Sequence, residues 1–290
     1  MTTPRSTQAG PLAIICGGGS IPQAVAGAVS RSGRRVVLFP LRGWADAEFA
    51  AHYPHHWIAV AQVGRFFRLA RAEGCRDVVL IGSLVRPPAR ALRLDWGALR
   101  LLPRILRAYR GGDDHLLSRV GKILEEHGFR LLGAHEVAPE ILVPEGALAR
   151  REPGPRDRAD IARALALLAT MGPFDVGQSV VLADGHVLAV EAAEGTDQML
   201  ARVADLRAQG RIPTPPGSGV LVKAPKPGQD RRLDLPAIGP ETVERAARAG
   251  LAGVAVAADA TIAAEPAEIV RAADRAGVFV VGVRQGGDAA

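Results

Sequence analysis

The stretch LAIICGGGSIPQAVAGAVSRSGRRVVLF, residues 12–39, decides the fold. It begins with an apolar run of strand length at residues 12–15 and continues through a cysteine into three glycines. Pro22 suits the first turn of a helix, and Gly33 suits the point where that helix ends. A second apolar run follows at residues 36–39. The order of strand, glycine turn, helix and strand predicts the opening of a doubly wound α/β sheet.

The same alternation continues through the first half of the chain. It predicts a Rossmann-like N-terminal domain over residues 11–143, preceded by a disordered leader at residues 1–10. The further elements predicted in this domain are a strand at 57–61, a helix at 64–73, a strand at 77–81, helices at 96–109 and 114–127, and an apolar run at 129–132.

Residues 144–156 are rich in proline, glycine and arginine, and they predict a linker. A second α/β domain with a mixed sheet is expected over residues 157–290. Its clearest signal is Asp184-Gly185 between two apolar runs, which predicts a β-hairpin with strands at 179–183 and 186–190. The other elements expected are helices at 157–170 and 198–208, a strand at 219–222, a helix between Pro240 and Gly250, and strands at 253–257 and 278–283 around a last helix.

The composition narrows the class of protein. The 290 residues are 48% hydrophobic and 23% charged, which is typical of a globular chain, and 4% aromatic. So few aromatic residues argue against a base-stacking nucleic-acid module, and we expect no nucleic-acid partner. Two isolated cysteines fit a reducing cytosol. No apolar run reaches the length of about 20 residues needed to span a bilayer. The net charge of +6 favours anionic partners.

The second half of the chain contains a block of unusually dense polar residues. It consists of residues 194–197, which read EGTD, and of the Pro- and Gly-containing segment 223–236. Its carboxylates are Glu194, Asp197, Asp230 and Asp234. Carboxylate oxygens spread over two loops suit Mg²⁺, and Lys223 and Lys226 could neutralise phosphate oxygens. The alternative is a surface ion-pair network, which would not explain the Gly and Pro residues that frame the block.

Three short segments in the first half are candidates for contacts with a ligand. Gly18 and Gly19 could present backbone N–H groups, although a tight turn would also need small residues, and neither a dinucleotide fingerprint nor a P-loop is present. Ser83 and Arg86 follow a predicted strand, on the side where such sheets bind ligands. Asp113 and Asp114 follow two glycines, where one of them could cap a helix or the pair could bind a ligand or a metal. The basic face of the helix predicted at 96–109 is either solvated or a contact with a membrane surface.

Several motifs together resemble a known family. They are Asp175-Val-Gly-Gln178, Glu191-x-x-Glu194-Gly-Thr-Asp197, Lys223-x-x-Lys226-Pro-x-Gln229-Asp230-x-Arg-x-Asp234-x-Pro and Ile238-Gly239-Pro240. With Gly17-Gly18-Gly19 and Gly112-Asp113-Asp114, they cover nearly the whole chain. The chain is similar to the UDP-2,3-diacylglucosamine pyrophosphatases of lipid A biosynthesis that are unrelated to calcineurin-like phosphoesterases. It departs from them at Ala237, where the family usually has threonine, so one hydroxyl group of the family pattern is absent.

The resemblance implies Mg²⁺-dependent hydrolysis of UDP-2,3-diacylglucosamine, with lipid bound between two domains. Water would attack the α-phosphorus, giving UMP and 2,3-diacylglucosamine 1-phosphate (lipid X). Asp230 is the leading catalytic candidate, as a metal ligand or by positioning the water. The full set of candidate residues is Asp230, Asp197 and Lys223 for catalysis, Asp230, Asp234 and Glu194 for the metal, and Gly18, Gly19, Ser83, Arg86, Asp113, Asp114, Gln178, Thr196, Lys226 and Gln229 for the substrate.

The resemblance also implies a cytoplasmic protein peripherally associated with the inner membrane, and it leaves a homodimer open. Two alternatives stand beside this interpretation. One is a carrier that binds a phosphosugar lipid without hydrolysing it. The other is a nucleotide-sugar enzyme that uses the Rossmann-like domain.

Overall fold

A computed structural model describes residues 10–84, 113–174 and 176–284. The following parts of the prediction lie outside the described residues: Arg86, Asp175, the helix predicted at 96–109 and residues 1–9 of the leader predicted at 1–10. The described chain divides into two compact units. The N-terminal unit runs to Glu140 and also includes Arg232–Asp234, and the C-terminal unit comprises Ile141–Arg231 and the residues from Leu235 onward.

The described residues of the N-terminal unit form one parallel sheet with the strand order β2-β1-β3-β4. Its strands are β1 (Leu12–Cys16), β2 (Val36–Pro40), β3 (Asp77–Ile81) and β4 (Arg130–Leu131). Its helices are α1 (Ile21–Arg31), α2 (Ala47–Ala51), α3 (Val63–Ala72), α4 (Asp113–Glu126) and α5 (Ala134–Val137). The fold class and the strand–turn–helix–strand opening are therefore as predicted.

The core of this unit follows from strands that are apolar on both faces. Leu12, Ala13 and Ile14 of β1 are fully buried, as expected for the middle of a parallel sheet covered on both sides. The strand predicted at 57–61 does not form. Instead, isolated bridges join His55 to Leu38 of β2 and Ile58 to Leu41, which follows β2, and no continuous ladder forms between these described residues.

The C-terminal unit contains a mixed sheet with the strand order β5-β12-β10-β8-β6-β7. Strands β8, β10 and β12 are parallel, while β6 and β5 run antiparallel to their neighbours β8 and β12. The six strands are β5 (Gly146–Ala147), β6 (Ser179–Ala183), β7 (His186–Val190), β8 (Val220–Lys223), β10 (Gly253–Ala257) and β12 (Phe279–Val283), and β9 (Ala237–Ile238) and β11 (Ile262–Ala263) form a separate pair. The helices are α6 (Pro155–Met171), α7 (Gly195–Ala208), α8 (Pro240–Arg248) and α9 (Pro266–Ala276).

The segment predicted as a linker, residues 144–156, is instead part of the C-terminal unit. Its strand β5 pairs with β12 at the edge of the sheet, and α6 begins at Pro155. A Cβ on Gly282 would lie 2.0 Å from the carbonyl oxygen of Pro144, so the chain approaches β12 too closely for a larger residue. The proline and glycine residues therefore shape an edge strand here, and they do not mark a free connection between the two units.

Candidate active site

Polar residues gather at one edge of the C-terminal sheet because of its topology. Lys223 at the end of β8 is the register partner of Ser179 at the start of the antiparallel strand β6. Strand β7 runs antiparallel to β6, so the chain leaves β7 at the same edge and reaches Glu191. This edge carries the carboxyl ends of the parallel strands β8, β10 and β12, which is where open α/β sheets bind ligands.

The hydroxyl of Thr196 lies at the centre of a hydrogen-bond network at this edge. Lys223 Nζ donates to Thr196 Oγ1 at 2.9 Å, and Thr196 Oγ1 donates to Glu191 Oε1, also at 2.9 Å. Ser179 Oγ lies 3.2 Å from the same Thr196 oxygen, and Ser179 is fully buried. The network therefore joins two strand ends, the residue after β7 and the first turn of α7.

Glu191 is held firmly by its surroundings. Its Oε2 accepts a hydrogen bond from the backbone N–H of Gln178 at 3.1 Å, and its own N–H donates to the carbonyl of Ser179 at 2.9 Å. A Cβ on Gly177 would lie 2.6 Å from Glu191 Cγ, so only glycine allows this approach. The close packing gives a structural reason for the glycine that precedes Gln178 in the motif.

Gln229 connects the loop after β8 to the start of β6. Its Oε1 accepts from Gln178 Nε2 at 3.2 Å and from the backbone N–H of Lys226 at 3.1 Å. The same loop passes through half-buried Asp230. The structure thus brings together Gln178, Thr196, Lys223, Lys226 and Gln229, which the sequence had selected as substrate-binding or catalytic residues.

Two of the predicted carboxylates are engaged in ion pairs on the surface of the C-terminal unit. Glu194 Oε1 accepts from Arg202 Nη2 at 2.8 Å. Asp197 Oδ1 lies 3.5 Å from Arg245 Nε on α8. Both carboxylates are exposed, and Asp197 in the first turn of α7 also interacts favourably with the helix dipole. A catalytic role for Asp197 and a metal-binding role for Glu194 stay predictions.

The three predicted metal ligands are not gathered within one unit. Asp234 belongs to the N-terminal unit, whereas Asp230 and Glu194 belong to the C-terminal unit. Among the residues described by the structure, no group of three or more His, Cys, Asp or Glu side chains could hold a metal ion. The metal-binding roles of Asp230 and Asp234 stay predictions, and a Mg²⁺ ion that keeps several waters and binds phosphate oxygens needs only one or two protein carboxylates.

The glycine turn of the N-terminal unit has a clear packing role. Gly18 N–H donates to the carbonyl of Ser83 at 2.9 Å, and Ser83 N–H donates back to the carbonyl of Gly18 at 2.8 Å. A Cβ on Gly17 would lie 2.3 Å from the Ser83 carbonyl oxygen. The N–H group of Gly18 therefore already has its acceptor within the N-terminal unit. Gly19 is exposed and has a φ of +89°, and its contact with a substrate stays a prediction.

Asp113 and Asp114 are the first two residues of α4. Their contact with a substrate stays a prediction.

The two cysteines are buried, and burial raises the pKa of Cys16 to about 12 and that of Cys75 to about 11. Both thiols therefore stay protonated near neutral pH, and neither is a candidate nucleophile.

The sequence interpretation missed Ser179 and gave Glu191 no role. Glu191 directly follows an apolar strand, and Ser179 is the one polar residue in a buried strand, SVVLA. A polar residue at the end of an apolar strand, or alone within a buried one, was the sequence feature that could have identified them. What made them significant is the antiparallel pairing of β6 with β8, which places Ser179 opposite Lys223.

Comparison with known proteins identifies the family. The profile of the LpxI N-terminal domain matches residues 11–141, and that of the LpxI C-terminal domain matches residues 144–281. The chain belongs to the LpxI family. It is similar to the UDP-2,3-diacylglucosamine pyrophosphatase LpxI of Caulobacter vibrioides, with 43% identity over 278 residues, 94% of this chain and 97% of the relative. The family predicted from the motifs is confirmed.

Proposed function

We propose that this protein is a UDP-2,3-diacylglucosamine pyrophosphatase. The observation that carries the proposal is the polar network of Glu191, Thr196 and Lys223 at the carboxyl edge of the C-terminal sheet. It lies within a chain that shares 43% identity with the Caulobacter LpxI pyrophosphatase over almost the full length of both proteins. A site of this kind suits an anionic diphosphate, which needs a fixed cation and hydrogen-bond donors.

In the proposed reaction, water attacks the α-phosphorus of UDP-2,3-diacylglucosamine. The bond between that phosphorus and the bridging oxygen breaks, the water oxygen stays on UMP, and the bridging oxygen leaves with 2,3-diacylglucosamine 1-phosphate. Lys223 and Lys226 stabilise the negative charge that develops on the phosphate oxygens, and Gln178 and Gln229 orient the substrate. Asp230 positions the attacking water or binds the metal.

We also propose that the reaction requires Mg²⁺. Asp230 would hold the ion, which supplies positive charge to the phosphate oxygens. Removing divalent cations with EDTA should abolish turnover, and adding Mg²⁺ should restore it.

The test of the reaction is hydrolysis of purified substrate in ¹⁸O-labelled water. Wild-type protein should release UMP that carries the label, and unlabelled 2,3-diacylglucosamine 1-phosphate. Label in the lipid product would overturn attack at the α-phosphorus. Intact lipid with no release of UMP would favour the carrier.

The test of Asp230 is Asp230→Ala compared with Asp205→Ala. Asp205 is exposed on α7 of the same unit, so its removal should leave turnover unchanged. Asp230→Ala should lower kcat by at least about a hundredfold while the far-ultraviolet circular dichroism stays that of wild type. Full activity of Asp230→Ala would contradict the catalytic role assigned to this residue.

A diacylated substrate is dissolved in a membrane, so we propose that the protein associates peripherally with the cytoplasmic face of the inner membrane. No helix in the described part of the chain is long and apolar enough to cross a bilayer. Co-sedimentation with vesicles of phosphatidylglycerol, with and without substrate, measures this association. Analytical ultracentrifugation of the same preparation tests for the homodimer.

A further inference from the structure

We propose that Glu191 and Ser179 are positioning residues that act through the hydroxyl of Thr196. Together they hold the ammonium group of Lys223 at the carboxyl edge of the C-terminal sheet, where the substrate is proposed to bind. This inference rests on the proposed function, since it assigns a role in the same site. It also gives Thr196 a role different from that of a direct ligand of the substrate.

The direction of each hydrogen bond follows from the chemistry of the partners. A carboxylate can only accept, so the Thr196 hydroxyl donates its single proton to Glu191 Oε1. A protonated lysine can only donate, so Lys223 Nζ occupies one lone pair of the Thr196 oxygen. Ser179 Oγ then donates to the remaining lone pair.

With these directions, every hydrogen-bonding position of the Thr196 hydroxyl is occupied by a partner within the protein. Its proton and both lone pairs have partners, so it has no capacity left to attack phosphorus or to bind a phosphate oxygen. The hydroxyl instead connects a carboxylate to an ammonium group without direct contact between the two charges.

The network is anchored at fixed points of the fold. Ser179 is fully buried and is the register partner of Lys223. Glu191 is fixed by Gln178 N–H at its second carboxylate oxygen and by its own N–H at the carbonyl of Ser179. Thr196 lies in the first turn of α7. Supporting residues held this firmly restrict a long lysine side chain before the substrate arrives, which is how preorganised sites gain rate.

The first test compares Thr196→Val, which keeps the shape and removes the hydroxyl, with Thr196→Ser, which keeps the hydroxyl. We expect Thr196→Val and Glu191→Gln to lower kcat for UMP release at least about tenfold with little change in KM. Thr196→Val removes the hydrogen bonds to Glu191 and Lys223, and Glu191→Gln removes the negative charge and places an amide donor where Gln178 N–H or the Thr196 hydroxyl needs an acceptor. Thr196→Ser should stay within about threefold of wild type. Thr170→Val is the control for loss of a hydroxyl, since Thr170 is an exposed residue on α6.

The second test follows Lys223 itself and needs no turnover. Acetylation by acetic anhydride, measured by peptide mass spectrometry with Lys226 as reference, reports how much neutral, mobile amine is present. Thr196→Val and Glu191→Gln should raise the Lys223 rate about threefold or more, and Thr196→Ser should match wild type.

The two tests separate this inference from the proposed function. If wild-type protein releases no UMP, the proposed function fails, and the acetylation rates still decide whether the network holds Lys223. Equal rates of Lys223 acetylation in wild type, Thr196→Val and Glu191→Gln would overturn the positioning role. So would an unchanged kcat in Thr196→Val. Should Thr196→Val fail to fold, Ser179→Ala takes its place in both measurements with the same expected direction.

Discussion

Asp77 shows how a single buried charge is stabilised in this protein. It begins β3 with 6% of its surface exposed, and it accepts hydrogen bonds from Arg130 at 2.8 Å and from Arg34. Burial by itself raises the pKa of this carboxyl, but the two guanidinium groups outweigh burial, and the pKa lies below its ordinary value of 3.8. The charged form is therefore favoured in the folded protein.

We expect Asp77 to stabilise the fold at neutral pH and to lose this effect in acid. Because its pKa is lower in the folded than in the unfolded state, the stabilisation is complete above the ordinary value of 3.8 and disappears as the pH falls through the lower folded pKa. Asp77→Asn should lower the free energy of unfolding by about 1–3 kcal/mol at pH 7. Urea unfolding between pH 7 and pH 2.5 measures this.

The difference between wild type and Asp77→Asn should shrink over the acid end of that range. A difference that stays constant down to pH 2.5 would contradict the assigned shift. Glu145→Gln is the comparison on the surface, because Glu145 and its partner Arg284 are both exposed and such pairs contribute little.

At the scale of elements, the β6–β7 hairpin determines where the candidate site is built. Asp184 and Gly185 form its turn with φ values of +48° and +79°, as the dipeptide predicts for a two-residue hairpin loop. Asp160 of α6 is buried beneath this turn. Its two carboxylate oxygens accept from the N–H groups of Asp184 at 2.8 Å and Gly185 at 2.7 Å.

We expect Asp160→Asn to destabilise the C-terminal unit, because an amide presents a donor where both partners are also donors. The loss in the free energy of unfolding should be about 1–3 kcal/mol. Hydrogen exchange should accelerate first at the amides of the hairpin turn. Asp205→Asn, at an exposed position of α7, should have no such effect, and unchanged exchange at Asp184 and Gly185 in Asp160→Asn would refute this role.

At the scale of the whole molecule, the order of the chain and the division into units do not coincide. Arg232–Asp234 are part of the N-terminal unit although the chain on both sides belongs to the C-terminal unit. Leu233 packs against the N-terminal core, where a Cβ on Gly121 would lie 3.2 Å from its side chain. Arg232 donates to Glu125 of α4 at 2.8 Å.

Leu233→Ala should therefore destabilise the N-terminal unit despite its position late in the sequence. The expected loss is about 1–2 kcal/mol, below that for a fully buried leucine because Leu233 is half-buried. Hydrogen exchange should increase in β1 and β3 and stay unchanged in β10. Leu165→Ala, at a half-buried leucine of the C-terminal core, should show the reverse pattern. A loss of protection confined to the C-terminal unit in Leu233→Ala would disprove the prediction.

Much of the fold could be predicted from local patterns. The limits of β3, β6, β7 and β10 agree with the predicted strands. Strands β6 and β10 are buried throughout and almost entirely apolar, whereas β7 is partly exposed and was located by the Asp184-Gly185 turn. The prediction at 57–61 was wrong because an apolar run does not specify whether a continuous ladder of hydrogen bonds forms. The predicted linker became strand β5 because proline and glycine are also common in edge strands.

The sequence by itself determined the class of fold, the family and the polar loops that hold most candidate site residues. Those properties depend on residue type and spacing, which are read directly from the sequence. The tertiary structure alone decided that Ser179 and Glu191 meet Lys223 through Thr196, that Glu194 pairs with Arg202, and that Gly18 donates its N–H within its own unit. The physical reason is that a hydrogen bond depends on distance and direction between groups far apart in sequence, and strand pairing sets both.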